Sequence, residues 1–307
     1  MITTIHIDNF KSLGDFRVSF TKFSCLVGLN GAGKSTVLQA MDFLSQLMRG
    51  DLDSWLSERS WAKADLNSKL SARLNIEFEV TLQLDSLGEF VWSGSVNRNS
   101  LHCKTEAVLL NGELLLKVQE GECTLRANDG GKADKFKVVF EYQGSILSQL
   151  KESQIKGPLL VLRNELLKVH SLDLLSPAQQ HSNDVVSGLM AALSQLDSNQ
   201  HFLIFDEIEN GINPELVEFL VDALVGSKHQ VLVTTHSPLI LNYLEDNIAT
   251  KGVIYLYKTP KGATQAIPLF SIPSMAEKLS VMGPGEVFVD THLSELAAEI
   301  SEMDGGE

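Results

Sequence analysis

The spacing of apolar residues along the chain predicts its elements in order. Residues 2–8 alternate as Ile-Thr-Thr-Ile-His-Ile-Asp, the period of a half-buried strand. Asn9 to Gly14 follows as a turn, and Asp15–Phe20 and Phe23–Val27 predict two further strands. The last is nearly all apolar, which predicts a strand covered on both faces and therefore central. Gly28–Gly33 is a glycine-rich loop. Beyond it, Val37, Met41, Leu44 and Met48 recur at helical spacing and predict a helix over Ser35–Met48. Residues 49–72 are polar, with Trp55 and Trp61 among them, and predict short helices.

From Ala72 to Tyr142 the period changes to two. Leu74–Leu84 alternates cleanly, and Asn111-Gly112 and Asn128–Gly131 are turn signals between strand-like runs, so this region predicts an antiparallel meander. After Gly144 the pattern is helical to about Leu175, and Asp184–Leu196 predicts an amphipathic helix. A strand at His201–Phe205, a helix at Pro214–Val225, a strand at Gln230–Thr234, a helix at Pro238–Glu245 and a strand at Val253–Tyr257 follow. Such alternation predicts a parallel sheet with helices on it. From Glu277 onward acidic residues outnumber the single basic one, Lys278, which predicts a solvated acidic edge.

Composition narrows the class. A length of 307 residues allows one large domain or two small ones. The 25 Lys and Arg against 39 Asp and Glu give a net charge of −14, which argues against a broad basic face for nucleic acid. No apolar run is long enough for a membrane span, and Met1–Asp8 has neither a basic leader nor an apolar core, so no signal peptide is expected. Cys25, Cys103 and Cys123 are odd in number and form no CxxC pair. That spacing argues against a disulfide framework or zinc site and suits a reducing cytoplasm, with Cys25 as a small core residue.

Three segments carry chemistry. Gly28-Leu-Asn30-Gly31-Ala32-Gly33-Lys34-Ser35 fits G-x-x-x-x-G-K-[ST], a loop whose glycines let backbone N–H groups point at phosphate oxygens. The following helix aims its positive end at the same anions; Lys34 suits the β- and γ-phosphates and Ser35 a Mg²⁺ ion. The apolar run His201–Phe205 ends in Asp206 and Glu207, as does the strand that lies beside the phosphate-loop strand in such enzymes, with Asp206 toward Mg²⁺ and Glu207 toward an attacking water. Val231-Leu-Val-Thr-Thr-His236-Ser-Pro238 sets a histidine at the carboxyl end of the next strand, within reach of a γ-phosphate.

These elements, in this order, resemble the ABC-type ATPases of the SMC/RecF/OLD group, and among them the short ATP-binding proteins of bacterial defence operons. The residues that carry the resemblance are Ile5–Leu13, Gly28–Thr36, Asp206–Pro214 and Thr234–Pro238, and the Asn9-Phe-Lys-Ser12 opening is nearer to RecF and SMC heads than to transporter ATPases. It spans residue 2 to about residue 258. The resemblance implies an α/β fold: a P-loop ABC-ATPase head with a mixed, largely parallel central sheet, an antiparallel β meander and a helical lobe. It implies one head over residues 1–307, divided into a β-rich lobe 1–143, a helical lobe 144–198, a lobe 199–270 carrying the acidic strand and histidine, and an acidic tail 271–307. It further implies Glu207 as catalytic base, His236 as the switch histidine, and Glu209–Asn213 as the loop at a dimer interface. ATP would be held by Asn30, Gly31, Ala32, Gly33, Lys34, Ser35 and Thr36, and Mg²⁺ by Ser35 and Asp206. The glutamine that joins nucleotide and metal would be Gln143, at the junction of the first two lobes, with Gln83 as its competitor inside a strand.

The sequence departs from this family at the signature motif, Leu-Ser-Gly-Gly-Gln at a helix N-terminus. Leu175–Gln180 resembles it by eye, with Ser176 lying 30 residues before Asp206; Ser182 with Asn183 lies nearer the usual separation, 24 residues before Asp206, and directly precedes the helix at Asp184. Both lack its glycines. Lys34 and Asp206 are 172 residues apart, too few for a coiled-coil arm, and the residues after the last strand are too few for a nuclease domain. The implied function is Mg-dependent ATP hydrolysis by a head-to-tail homodimer that controls a separately encoded effector. The alternatives are a RecF-like repair ATPase on duplex DNA and an ATP-gated scaffold with little hydrolysis.

Overall fold

The computed structural model describes residues 1–126, 133–155, 157–172, 201–210, 212–293, 295–296 and 299–300. They form two compact units: one of residues 1–19, 39–169 and 261–263, the other of residues 20–38, 170–260 and those from 264 on. The elements are β1 (Ile2–Asp8), β2 (Phe16–Ser19), β3 (Phe23–Val27), α1 (Lys34–Arg49), α2 (Leu52–Glu58), β4 (Asn75–Leu84), β5 (Gly88–Asn97), β6 (Cys103–Leu110), β7 (Glu113–Gln119), β8 (Glu122–Leu125) and β9 (Asp134–Lys137). There follow α3 (Ile146–Gln149), α4 (Pro158–Leu167), β10 (Val169–Leu172), β11 (Phe202–Phe205), α5 (Val217–Gly226), β12 (Gln230–Thr234), α6 (Pro238–Asn242), α7 (Asp246–Gly252), β13 (Val253–Lys258), β14 (Thr264–Pro268), α8 (Pro273–Leu279) and α9 (Pro284–Val289).

The first unit is built on an antiparallel sheet of order β2-β1-β4-β5-β6-β7-β8-β9. Its strands alternate as the sequence does: Ile76, Phe78, Val80 and Leu82 of β4 are buried while the residues between them are partly exposed or exposed. Phe78 packs on Trp92 of β5 with ring centroids 4.5 Å apart. Leu110 pairs with Glu113 across Asn111 and Gly112, whose φ of 51° and 82° give the two-residue turn that suits the twist of a hairpin. The Asn9-Phe-Lys segment is a lock within this unit. Asn9 Nδ2 donates to the carbonyls of Arg73 and Asn75, at 2.9 and 2.7 Å. Phe10 stacks on Phe43 of α1, and the Lys11 ammonium lies 3.1 Å from the Trp61 ring centroid while donating to Gln39 Oε1. Burial lowers the Lys11 pKa to about 8.

A buried carboxylate fixes the entry to α3. Glu106 accepts from Trp92 Nε1 at 2.8 Å, from the Ser145 hydroxyl, and from the Ile146 N–H at 2.9 Å. Removal from water pushes its pKa up, against the three donors.

The second unit holds a sheet of order β10-β11-β12-β3-β13-β14, in which β11, β12, β3 and β13 run parallel and β14 returns antiparallel. Every residue of β11, β12 and β3 is buried, as apolar runs predict for strands covered on both faces. Helix α5 turns Val217, Leu220, Val221 and Leu224 inward, a 3.6-residue stripe. One expectation is corrected here. The acidic strand β11 is not beside the phosphate-loop strand β3: β12 lies between them, with Val233 opposite both Phe205 and Cys25.

Residues 169–172, expected to be helical, form strand β10, because pairing with β11 outweighs the local helical pattern. Helix α6 stops at Asn242, and α7, β14, α8 and α9 had no counterpart in the sequence pattern. The acidic tail is not merely a solvated edge, since Met275, Val287, Leu296 and Ile300 join the core of the second unit. The helix expected at Asp184–Leu196, the turn at Asn128–Gly131 and both signature candidates lie outside the described residues.

Candidate functional site

The site is built at the carboxyl ends of three parallel strands of the second unit. The chain leaves β3 through Gly28–Gly33 and enters α1 at Lys34. Two glycines are sterically required. A Cβ on Gly28, at φ +149°, would lie 2.4 Å from the Leu256 carbonyl oxygen; one on Gly33, at φ +114°, would lie 2.4 Å from Thr264 Oγ1. Thr264 is fully buried, and its hydroxyl donates to the Ala32 carbonyl and accepts from Lys258 Nζ, both at 2.8 Å. The β13–β14 hairpin therefore braces the loop from behind.

Lys34 folds back over the loop. Its ammonium donates to the carbonyls of Gly28 at 2.9 Å and Leu29 at 3.3 Å, and the residue is 6% exposed. Burial lowers its pKa, while the negative charges of Asp206, Glu207 and Glu209 act the other way. Those three carboxylates follow β11 directly, so the lysine and the acidic turn act on one another within one unit. The N–H groups of the first turn of α1 have no partner inside the helix, which makes this end suited to an anion.

The intervening strand β12 ties the acidic residues together. Thr234, its last residue, is buried; its hydroxyl donates to Asp206 Oδ1 at 2.5 Å and accepts from the Glu207 N–H at 2.7 Å. Glu207 sits at φ +48°, a left-handed conformation uncommon outside glycine, and its Oε2 accepts from Asn210 Nδ2 at 2.5 Å. Its Oε1 faces His236 Nε2 at 3.9 Å, beyond hydrogen-bond distance. Glu209 reaches across to the histidine segment: Oε1 accepts from the His236 N–H at 2.7 Å and Oε2 from the Thr235 hydroxyl at 2.8 Å.

The structure thus gathers Lys34, Asp206, Glu207 and His236 in one unit, with Asn30, Gly31, Ala32, Gly33, Ser35 and Thr36 on the same loop and helix start. Gln143 belongs to the first unit, where Oε1 accepts from the N–H groups of Leu52 and Asp53 and Nε2 donates to Asp53 Oδ2, at 2.8, 3.0 and 2.6 Å. Ser182 and Asn183 lie outside the described residues. Thr234, Glu209 and Asn210 did not emerge as ligands of these groups from the sequence. The threonine doublet before His236 and the second acidic residue after Asp206-Glu207 were the available signals.

The donor set suits a triphosphate with Mg²⁺. Asp206 and Ser35 are exposed oxygen donors, Lys34 is a buried cation resting on carbonyls, and Gly31 leaves open space where a Cβ would sit. Mg²⁺ is commonly bound by one or two carboxylates together with phosphate oxygens.

Two family models match the sequence. One, described as "AAA ATPase domain", covers residues 1–160, just over half of the chain. The other, "AAA domain, putative AbiEii toxin, Type IV TA system", covers residues 185–242. No curated protein matches. Among solved structures, the chain is similar to a Pyrococcus furiosus Smc head domain with an extended coiled coil bound to the C-terminal domain of ScpA, at 10% identity and a TM-score of 0.49, covering 91% of this chain and 99% of that one. It is similar to an SMC head domain from Thermotoga maritima at 13% identity and a TM-score of 0.45, covering 87% and 98%. With a RecF–ATP recombination mediator structure it shares 20% identity over 38% of this chain and 28% of that one, with a TM-score of 0.26.

Proposed function

The chain belongs to the AAA ATPase domain family, and from that premise we propose that it hydrolyses ATP with Mg²⁺ at the site around Lys34, Asp206, Glu207 and His236. The observation that carries this reading is a buried loop lysine resting on loop carbonyls, in the same unit as an acidic turn that follows a strand of the same parallel sheet and whose charges act on it. Lys34 exchanges its contacts with the Gly28 and Leu29 carbonyls for phosphate oxygens. The Ser35 hydroxyl and Asp206 carboxylate are the groups that would hold Mg²⁺, which would supply positive charge against the phosphates. Asn210 fixes Glu207 by one oxygen and leaves Oε1, on the His236 side, to take the proton of the attacking water. His236 donates to the transferring phosphoryl group. Each contribution is one of positioning and charge, as phosphoryl transfer demands.

Two copies assemble head to tail in this reading, each completing the other's site, with Glu209–Asn213 at the interface and Ser182 and Asn183 reaching the partner's nucleotide. Gln143 would have to leave its present bonds to Asp53 and the start of α2 to join the nucleotide and metal. The cycle controls a separately encoded effector in the cytoplasm, in bacterial anti-phage defence. The second family description, which names a putative toxin of a type IV toxin–antitoxin system, supports a place in such a system. Among the described residues no helix is long and apolar enough to cross a membrane.

ATP hydrolysis measured against protein concentration, with and without duplex DNA and with Glu207→Gln as blank, tests this. A rate that climbs faster than linearly and disappears in the variant is expected. A linear rate would remove the shared site, and a rate equal to the blank would remove hydrolysis. Stimulation by DNA would favour a repair role over effector control.

A further inference from the structure

We propose that Glu209 is a positioning residue that sets the height of His236 over the site, a role that rests on the ATPase reading above. Its carboxylate is spent on Thr235 and His236, while the Asp206 carboxylate is held by Thr234 and that of Glu207 by Asn210. Glu209 spans the step from β11 to the end of β12 and grips two consecutive residues, the His236 N–H and the Thr235 hydroxyl. That hydroxyl in turn accepts from the Ser237 N–H at 2.9 Å, so one carboxylate fixes residues 235–237 as a unit. Thr235 is buried, while the His236 side chain remains 37% exposed and directed to within 3.9 Å of Glu207. The histidine backbone is thereby clamped and its imidazole left to meet the phosphoryl group. Bonds of N–H and O–H to a carboxylate are among the stronger hydrogen bonds, and the clamp lies on the segment that follows Glu207 directly. Movement of Glu209 is then transmitted to Thr235 and His236 through one bond each.

The chemistry separates this role from a structural one. In Glu209→Ala, kcat should fall about 30-fold while KM for ATP moves less than about threefold, because the bonds lost are those to Thr235 and His236 and none is to the phosphate loop. Glu209→Gln should keep at least about a third of kcat: its amide oxygen can accept from the His236 N–H, and its NH₂ can donate to the Thr235 hydroxyl, which also accepts. Adding Glu209→Ala to His236→Ala should slow the enzyme by less than about twofold, since both remove one contribution. Amide hydrogen exchange at His236, read by NMR without nucleotide, should quicken by at least about tenfold in Glu209→Ala and little in Glu209→Gln. Multiplicative losses in the double variant, or unchanged exchange at His236, would overturn the proposal. If the wild type hydrolyses no ATP, the ATPase reading fails, and the exchange measurement still decides whether Glu209 holds His236.

Discussion

Thr234 holds both carboxylate-bearing residues that follow β11. The side chain is buried at the end of β12, between the strand that ends in Asp206 and the strand that leads into the phosphate loop. Valine has nearly its shape but no hydroxyl, so Thr234→Val removes a bond of 2.5 Å to Asp206 and one of 2.7 Å from the Glu207 N–H without opening a cavity. A hydrogen bond to a charged partner contributes about 1.5–3 kcal/mol, and an orphaned buried N–H costs about 1–3 kcal/mol. Asp206 is exposed and Glu207 half-exposed, so water recovers part of both, and a net loss of about 2 kcal/mol is expected. In urea that is a midpoint shift of about 1 M for a slope near 2 kcal/mol/M. The activity loss should be larger in proportion, because both carboxylates drift and misplacement by about 1 Å can cost about 100-fold. Steady-state ATP hydrolysis and urea unfolding of wild type, Thr234→Val and Thr234→Ser provide the assay. The serine variant keeps the hydroxyl and should retain kcat within about threefold. A valine variant with the wild-type midpoint and the wild-type kcat would refute the claim that Thr234 holds the acidic pair.

Gly28→Ala should destabilise the protein by about 3 kcal/mol or more, since its Cβ would meet a backbone carbonyl at 2.4 Å; Gly31→Ala, with nothing within 4 Å, should cost only the left-handed conformation, about 1 kcal/mol, and equal denaturation midpoints would contradict this. Lys11 has a folded pKa of about 8 against an ordinary 10.5, so between those values the unfolded chain binds more protons and this group's contribution to stability rises with pH. Unfolding midpoints at pH 7.5 and about 10 should therefore shift in favour of wild type over Lys11→Met as pH rises, and a pH-independent gap would contradict the burial of that ammonium.

What was legible in the sequence is what is local. Apolar runs such as Phe23–Val27 and Phe202–Phe205 declare themselves as strands covered on both faces, and Gly28–Ser35 declares a phosphate loop because its backbone path requires glycine at 28 and 33. The meander was readable from its period and from Asn111-Gly112. Strand order was not, because the insertion of β12 between β11 and β3 depends on which buried strands pair over long separations. The same holds for β10, a four-residue segment whose state is decided by its neighbour. In the acidic tail, sparse apolar residues such as Met275 and Val287 were masked by surrounding charge, yet they are the ones that pack. Among the site residues, Asp206, Glu207 and His236 stood at strand ends, where motif reading looks. Thr234, Glu209 and Asn210 act on those groups from across strands or turns, and only the folded chain brings them together.

The central claim is that the loop at 28–35 and the turn at 206–207 form one Mg-ATP site. Equilibrium binding of a fluorescent ATP analogue, with and without Mg²⁺, to wild type, Lys34→Ala and Asp206→Asn tests it most directly. Saturable binding by the wild type is expected, with a loss of at least about 30-fold in Lys34→Ala and a Mg²⁺ enhancement that Asp206→Asn abolishes. Wild-type affinity retained by Lys34→Ala, or no saturation by the wild type at millimolar analogue, would contradict it.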